Sequence, residues 1–143
     1  MKIVGLITEY NPFHNGHLYH IERAKSITGA DTVIVVMSGN YVQRGAPAIM
    51  PKHLRAEVAL KAGVGLVLEL PVCYAVGSAE YFAAGALSLL EQLGCIDSIC
   101  FGSECGDYEL LSRIARILAD EPEEFKLLLQ DALKKGMSFP RAR

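Results

Sequence analysis

The chain has 143 residues, 51% of them hydrophobic and 21% charged, with a net charge of only −2. That balance excludes a disordered polymer, because there is apolar surface enough to offset chain entropy, and the length fits one domain. It offers no membrane span either: the longest uninterrupted apolar stretches, such as Val33 to Met37, fall far short of the ~20 residues a bilayer demands.

The segment Met1-Lys2-Ile3-Val4-Gly5 runs straight into a strand-like pattern and not into a signal peptide, so a cytoplasmic location is expected. Residues 1–65 carry seven Lys/Arg and four Asp/Glu, a net of +3, whereas residues 66–143 carry seven and twelve, a net of −5. An anion would dock on the positive half. A pI near 6.1 does not advertise nucleic-acid binding, which commonly shows as a strongly basic domain. The four cysteines, Cys73, Cys95, Cys100 and Cys105, contain no Cys-x-x-Cys pair and no histidine follows them. They are read as reduced, buried or half-buried thiols, not as metal ligands.

In chain order, short apolar runs alternate with helical periodicity, the pattern of βαβ units around a parallel sheet. Ile3 to Ile7 reads as the first strand. The first helix opens at Asn15-Gly16-His17 with Asn15 as its cap and Gly29 as its stop. Thr32 to Met37 is the second strand. A loop rich in Gly, Asn and Pro, Ser38 to Ile49, leads to Pro51 at the first position of a helix whose apolar face is Leu54, Val58 and Ala62. Lys52 and Arg55, at the start of that helix, read as a solvated face. Gly63-Val64-Gly65 precedes a strand and is a turn, not a dinucleotide fingerprint. Leu66 to Leu70 is the third strand, and Glu69 within it either joins a network with the Ser78 turn or lies at the sheet edge. Ser78 caps a helix bearing Phe82, Ala86, Leu89, Leu90 and Leu93, closed by Gly94, and Ile96 to Phe101 is the fourth strand. Two further amphipathic helices start at Asp107 and Pro122, the second ending at Gly136. The last segment, Ser138 to Arg143, shows neither strand nor helix, so the chain reads as an interrupted protein.

Thr8-Glu9-Tyr10-Asn11-Pro12-Phe13-His14-Asn15-Gly16-His17-Leu18-Tyr19-His20 is the densest polar cluster, and it lies between the first strand and the first helix. In open α/β sheets ligands bind outside the carboxyl ends of strands, where a helix N-terminus offers unpaired N–H groups to a phosphate. Gly16 lets an anion or base approach the backbone. His14 and His17, three residues apart, face one way if the helix runs through both. Two imidazoles beside a phosphate suit nucleotidyl transfer, which needs preorganised donors at the α-phosphate. Tyr10 either orients the ligand, as Asn11 can, or packs in the core. Asn40, Gln43 and Arg44 either contact substrate or lie in a solvated loop. Metal ligation by the histidines is disfavoured, since no His-Glu-x-x-His pattern is present.

His14-Asn15-Gly16-His17 resembles the His-x-Gly-His signature of the nucleotidyltransferase superfamily. Ile7 to His17, Met37 to Gly45, Glu69-Leu70-Pro71 and Phe101-Gly102-Ser103-Glu104 together resemble the bacterial tRNA(Met) cytidine acetate ligase family over essentially all 143 residues. The resemblance implies a Rossmann-like α/β fold, with residues 1–143 an ATP-binding nucleotidyltransferase-like domain at the N-terminal end of a larger protein. It also implies activation of acetate by ATP to acetyl-adenylate, then acetylation of the wobble cytidine of elongator tRNA(Met), with Mg²⁺ expected alongside ATP. Implied ATP contacts are Ile7 to His20 and Gly102, with His14 and His17 the catalytic pair. A further Ser/Thr-rich phosphate signature ending in Arg is absent from this sequence, so the chain alone is expected to hold nucleotide weakly and not to acetylate tRNA. The alternatives are a small-molecule adenylyltransferase and a nucleotide-binding module without turnover.

Overall fold

A computed structural model describes residues 1–142. The chain divides into two compact units, Met1–Gly102 and Ser103–Arg143. In the first, strands β1 (Ile3–Thr8), β2 (Thr32–Ser38), β3 (Leu66–Leu70) and β4 (Ser98–Ile99) form one sheet in the order β3-β2-β1-β4. Every pairing is parallel, with Ile3 opposite Thr32, Ile34 opposite Leu66 and Val4 opposite Ser98. The carboxyl ends at Thr8, Ser38 and Leu70 therefore share one edge. The expected α/β architecture with a parallel sheet and flanking helices is what the chain adopts.

Alternation along the central strands builds two cores. Val4, Leu6, Val33, Val35 and Met37 point to one face and meet Ile21 and Ala24 of helix α1 (Asn15–Thr28) and Ala59 of α2 (Lys52–Lys61). Ile3, Ile34, Val36 and Leu70 point to the other and meet Ala75 of α3 (Val72–Ala75) and Ala86 and Leu90 of α4 (Ala79–Gln92). Full burial of each Val, Leu, Ile or Met among them stabilises the fold by about 1.5–3 kcal/mol. Gly5 suits this packing: a Cβ there would stand 2.9 Å from Leu90 Cδ1, so that side chain would have to shift.

Several local expectations need correction. The cap of α1 is His14, not Asn15, as its geometry below shows. Pro51 precedes α2 as its cap because its ψ of 143° is extended. The buried face of α2 runs through Arg55 and Ala59, whereas Leu54 is 43% exposed, so the apolar pattern pointed one residue out of phase. The brief helix α3 was not foreseen; Pro71 O accepts from Tyr74 N and Ala75 N, both at 3.0 Å. Strand β4 is shorter than Ile96–Phe101. Asp97 N and Cys100 N bond to Ile3 O and Gly5 O, the Asp97 carboxylate takes the Ile3 N–H at 2.7 Å, and beyond Cys100 the chain leaves β1. Cys73, Cys95 and Cys105 are exposed and only Cys100 is half-buried, against the expectation of burial; all four are free thiols.

The second unit holds α5 (Tyr108–Asp120), α6 (Glu123–Lys134) and α7 (Phe139–Ala142). Asp107 caps α5, its Oδ1 accepting from Leu110 N at 3.0 Å, and Pro122 precedes α6, as the sequence indicated. The tail expected to be irregular closes a helical turn instead: Arg141 N and Ala142 N both donate to Ser138 O, and Pro140 is tolerated in a first turn because no N–H is needed there. Arg143 lies outside the described residues.

Candidate active site

The loop after β1 reaches α1 through a self-contained aromatic and imidazole cluster. Tyr10 adopts φ 48°, in the left-handed region that bulky residues avoid, so the surroundings must hold it there. They do so by enclosing the ring, which is 1% exposed and meets the rings of Phe13 and His17 edge-on, each with centroids 4.9 Å away. His14 and His17 are stacked, 3.8 Å apart at 25°.

The helix cap explains that stacking. His14 has an extended backbone, and its Nδ1 accepts from Gly16 N at 3.1 Å while His17 Nδ1 accepts from His14 N at 3.2 Å. The arrangement is a capping box in which imidazoles replace the usual hydroxyl and carboxylate. Its chemical consequence is a fixed tautomer. A ring nitrogen that accepts from a backbone N–H carries no proton, so each neutral imidazole must bear its proton on Nε2, leaving two Nε2–H donors side by side. Burial, together with the charges His14 and His20 would carry, pushes the His17 pKa below its ordinary value and favours this neutral form. Gly16 also serves the cap, because a Cβ there would stand 3.0 Å from the His14 ring.

A cleft of about 490 Å³ opens at this edge, lined by Ile7, Thr8, Glu9, Tyr10, Asn11, Pro12, His14, His17, Gln43 and Phe82. That volume falls within the range of small-ligand sites. Two hydroxyls in its wall, Thr8 Oγ1 and Tyr10 OH, are buried without a completed hydrogen bond. Burial pushes the Tyr10 phenol up to about 12, with the Thr8 hydroxyl close enough to oppose this in part, so Tyr10 remains a protonated donor.

Of the sequence-predicted contacts, Ile7 to Pro12, His14 and His17 come together in the cleft. Phe13 packs behind it, on Tyr10 and His17. Asn15, Gly16, Leu18, Tyr19, His20 and Gly102 do not line it. Tyr19 is 65% exposed, His20 is half-buried with Nε2 unpartnered, and Gly102 is exposed with open space about it. In the loop after β2, Gln43 reaches the cleft, its N–H donating to Glu9 Oε1 at 2.6 Å. Asn40 instead takes the Lys52 N–H at 3.1 Å, capping α2, and Arg44 is exposed at φ 69°. Glu69 lies on the edge strand β3, paired with Lys52 at 2.6 Å, so the sheet-edge reading holds. The solvated face assigned to Lys52 and Arg55 fails for Arg55, which is 1% exposed. Sequence reasoning also missed Phe82 as a wall of the cleft. Its helical spacing placed it on the inner face of α4, and only the sheet order shows which end of that face borders β1.

A parallel sheet whose central strand runs into an imidazole-capped helix, with a cleft at its carboxyl edge, is the architecture expected of the His-x-Gly-His nucleotidyltransferase class. The chain belongs to the HIGH nucleotidyl transferase family, whose model matches residues 1–143. More particularly, it is 57% identical over all 143 residues to a tRNA(Met) cytidine acetate ligase of Acetivibrio thermocellus, and 56% identical to one of Clostridium kluyveri. It spans about a third of these relatives, 34% and 35% of their lengths. The crystal structure of Thermotoga maritima TmcAL bound with alpha-thio ATP superposes with a TM-score of 0.93 at 52% identity, covering all of this chain and 35% of that one. The resemblance read from the sequence is therefore met along the whole chain.

Proposed function

We propose that this chain is the ATP-handling part of a tRNA(Met) cytidine acetate ligase. In the first half-reaction an acetate oxygen attacks the α-phosphorus of ATP, the bond to the β-phosphate breaks, and acetyl-adenylate and pyrophosphate form. In the second, the exocyclic amine of the wobble cytidine attacks the acetyl carbonyl, forming the amide and releasing AMP. The observation that carries this reading is the His14–His17 pair, locked by the cap into two adjacent Nε2–H donors at a helix N-terminus. Such donors cost no reorganisation when charge builds on the α-phosphoryl oxygens. The backbone dipole of α1 adds to them.

The neutral His17 supplies its hydrogen bond without a full charge, and a donor aimed where charge builds favours the transition state more than the ground state. Thr8 and Tyr10 offer the remaining unsatisfied hydroxyls to ligand oxygens. Glu9 is the carboxylate in the cleft wall, and one carboxylate with ATP phosphates is a donor set that Mg²⁺ commonly takes. Asn40, Gln43 and Arg44 are assigned to the acceptor side, with Gln43 the member nearest the nucleotide. The alpha-thio ATP bound to the Thermotoga neighbour supports ATP as the nucleotide, and the relatives' names support tRNA(Met) as acceptor. A tRNA substrate supports the cytoplasmic reading; separately, no helix among the described residues is long and apolar enough to cross a membrane.

Isotope exchange between pyrophosphate and ATP tests the proposal. A chimera carrying residues 1–143 in place of the matching third of the Acetivibrio relative should exchange only when acetate is present. Exchange that requires a phosphorylated precursor would identify a small-molecule adenylyltransferase, and ATP binding without any exchange would identify a binding module.

A further inference from the structure

Arg55 is 1% exposed, yet no carboxylate among the described residues bonds to its guanidinium. Its partners are backbone carbonyls instead. Nε donates to Met50 O at 3.1 Å, Nη1 to Glu9 O, and Nη2 to Ser38 O at 3.1 Å and to Gly39 O. Burying a cation costs a great deal unless its donors are satisfied, and the planar five-donor fork of arginine is the side chain best able to hold several fixed acceptors at once. Glu9 and Glu69 add charge support from a greater distance.

The identity of those carbonyls is the informative part. Glu9 immediately precedes Tyr10, the residue held at φ 48° in the cleft wall. Ser38 and Gly39 open the loop after β2, and Met50 closes it. One guanidinium thus grips the start of the first loop and both ends of the second. Around it lie two outer ties: Gln43 N to Glu9 Oε1 at 2.6 Å and Ile49 N to Asn11 Oδ1 at 2.7 Å. A lysine could not replace this grip, because a single ammonium on a flexible stem cannot address four acceptors spread over three segments.

We infer that Arg55 is a positioning residue that joins the nucleotide loop, Glu9–His14, to the loop Gly39–Pro51 as one body, so that a ligand in the cleft fixes the placement of Gln43 and its neighbours. The identity of that ligand as ATP rests on the function proposed above; the joining of the loops does not. Arg55 itself touches no reacting group.

Amide hydrogen exchange on the 143-residue chain reads this directly. Gln43 and Ile49 N–H report the joint between the loops, and Val35 and Val36 N–H in the buried central strand report the fold as a whole. In Arg55→Lys, exchange at Gln43 and Ile49 should rise about tenfold or more beyond any rise at Val35 and Val36. With alpha-thio ATP as probe on the chimera described above, the wild-type sequence should show slowed exchange at both loop amides, and Arg55→Lys should lose that slowing and bind about tenfold more weakly. An equal rise at all four amides would mean that Arg55 is merely structural and would overturn the inference, as would no rise at the loop amides. If Arg55→Lys does not fold, Asn11→Ala decides, since it cuts an outer tie and leaves Arg55 in place. Gln43 exchange within about threefold of wild type is then expected, whereas freeing Gln43 about tenfold would show that the outer ties hold the loops and Arg55 does not. A wild-type chimera that ignores the ATP probe would strike the nucleotide reading, while the comparison of loop and core amides in the 143-residue chain would still judge Arg55.

Discussion

The two loops at the carboxyl edge of the sheet share the Arg55 grip and the two outer ties but differ in what else holds them. The loop after β1 is stabilised from within: Tyr10, Phe13, His14 and His17 contact one another, and the cap bonds span only two and three residues. The loop after β2 depends on distant residues, Glu9, Asn11 and Arg55, and on its own end-to-end bonds such as Ala48 N to Asn40 O at 2.9 Å. The difference is one of division of labour. On the function proposed above, the loop that would present fixed donors to a transition state is the locally overdetermined one, whereas the loop assigned to the acceptor is placed by reference to the first.

The same difference decides what could be read in advance. His14 and His17 were legible as neighbours because their partners are near in sequence and spacing alone brings them to one helix start, whereas Gly16, read as an approach point for an anion, makes room for the His14 ring instead. The three long strands, α4 with its Ser78 cap, and α5 with its Asp107 cap were legible for the same reason. Arg55 was not, because its acceptors are backbone carbonyls, which leave no trace in residue type, and because apolar spacing favoured Leu54, Val58 and Ala62 as the inner face of α2. Asn15 lost the cap to His14 since an imidazole Nδ1 can do the work of a short polar side chain, a substitution that propensity does not anticipate.

The largest effect that would test this contrast is on chemistry in the first loop. His17→Ala in the chimera should lower acetate-dependent exchange ~10²–10³-fold while changing ATP affinity far less, because the lost donor meets charge that develops only in the transition state. Equal losses in affinity and rate would reduce His17 to a ground-state contact.

A change confined to the second loop should behave differently. Asn40→Ala removes the cap on Lys52 N and should cost about 1 kcal/mol in urea unfolding, with ATP affinity unaltered. If ATP affinity falls in step with stability, the loops do not divide their roles as described.

Smaller again is Tyr10→Phe. The phenol is buried with no completed hydrogen bond, so its removal should leave stability unchanged or raise it by up to about 1 kcal/mol. ATP affinity should fall severalfold, since a ligand oxygen is then deprived of the donor. A variant that loses stability would show that the hydroxyl already has a partner in the free protein.

The smallest effect is on pH dependence, and its sign follows from the capping box. His17 has a folded pKa below its ordinary value, so between that value and about 6.5 the unfolded chain binds more protons than the folded one. Stability must therefore decline as pH falls from about 6.5 through the folded pKa. Physically, protonation puts a hydrogen on Nδ1, which then faces the His14 N–H as a second donor, and it places a cation beside the stacked His14 ring. His20, also lowered by burial, contributes in the same direction, so wild type alone does not isolate the cap. The difference between wild type and His17→Ala does: urea unfolding of both from pH 7.5 to 4.5 should show the wild type losing more stability on acidification. Parallel pH profiles would mean that the His17 ring is not held neutral by the fold, and the fixed Nε2–H donor on which the proposed chemistry rests would lose its basis.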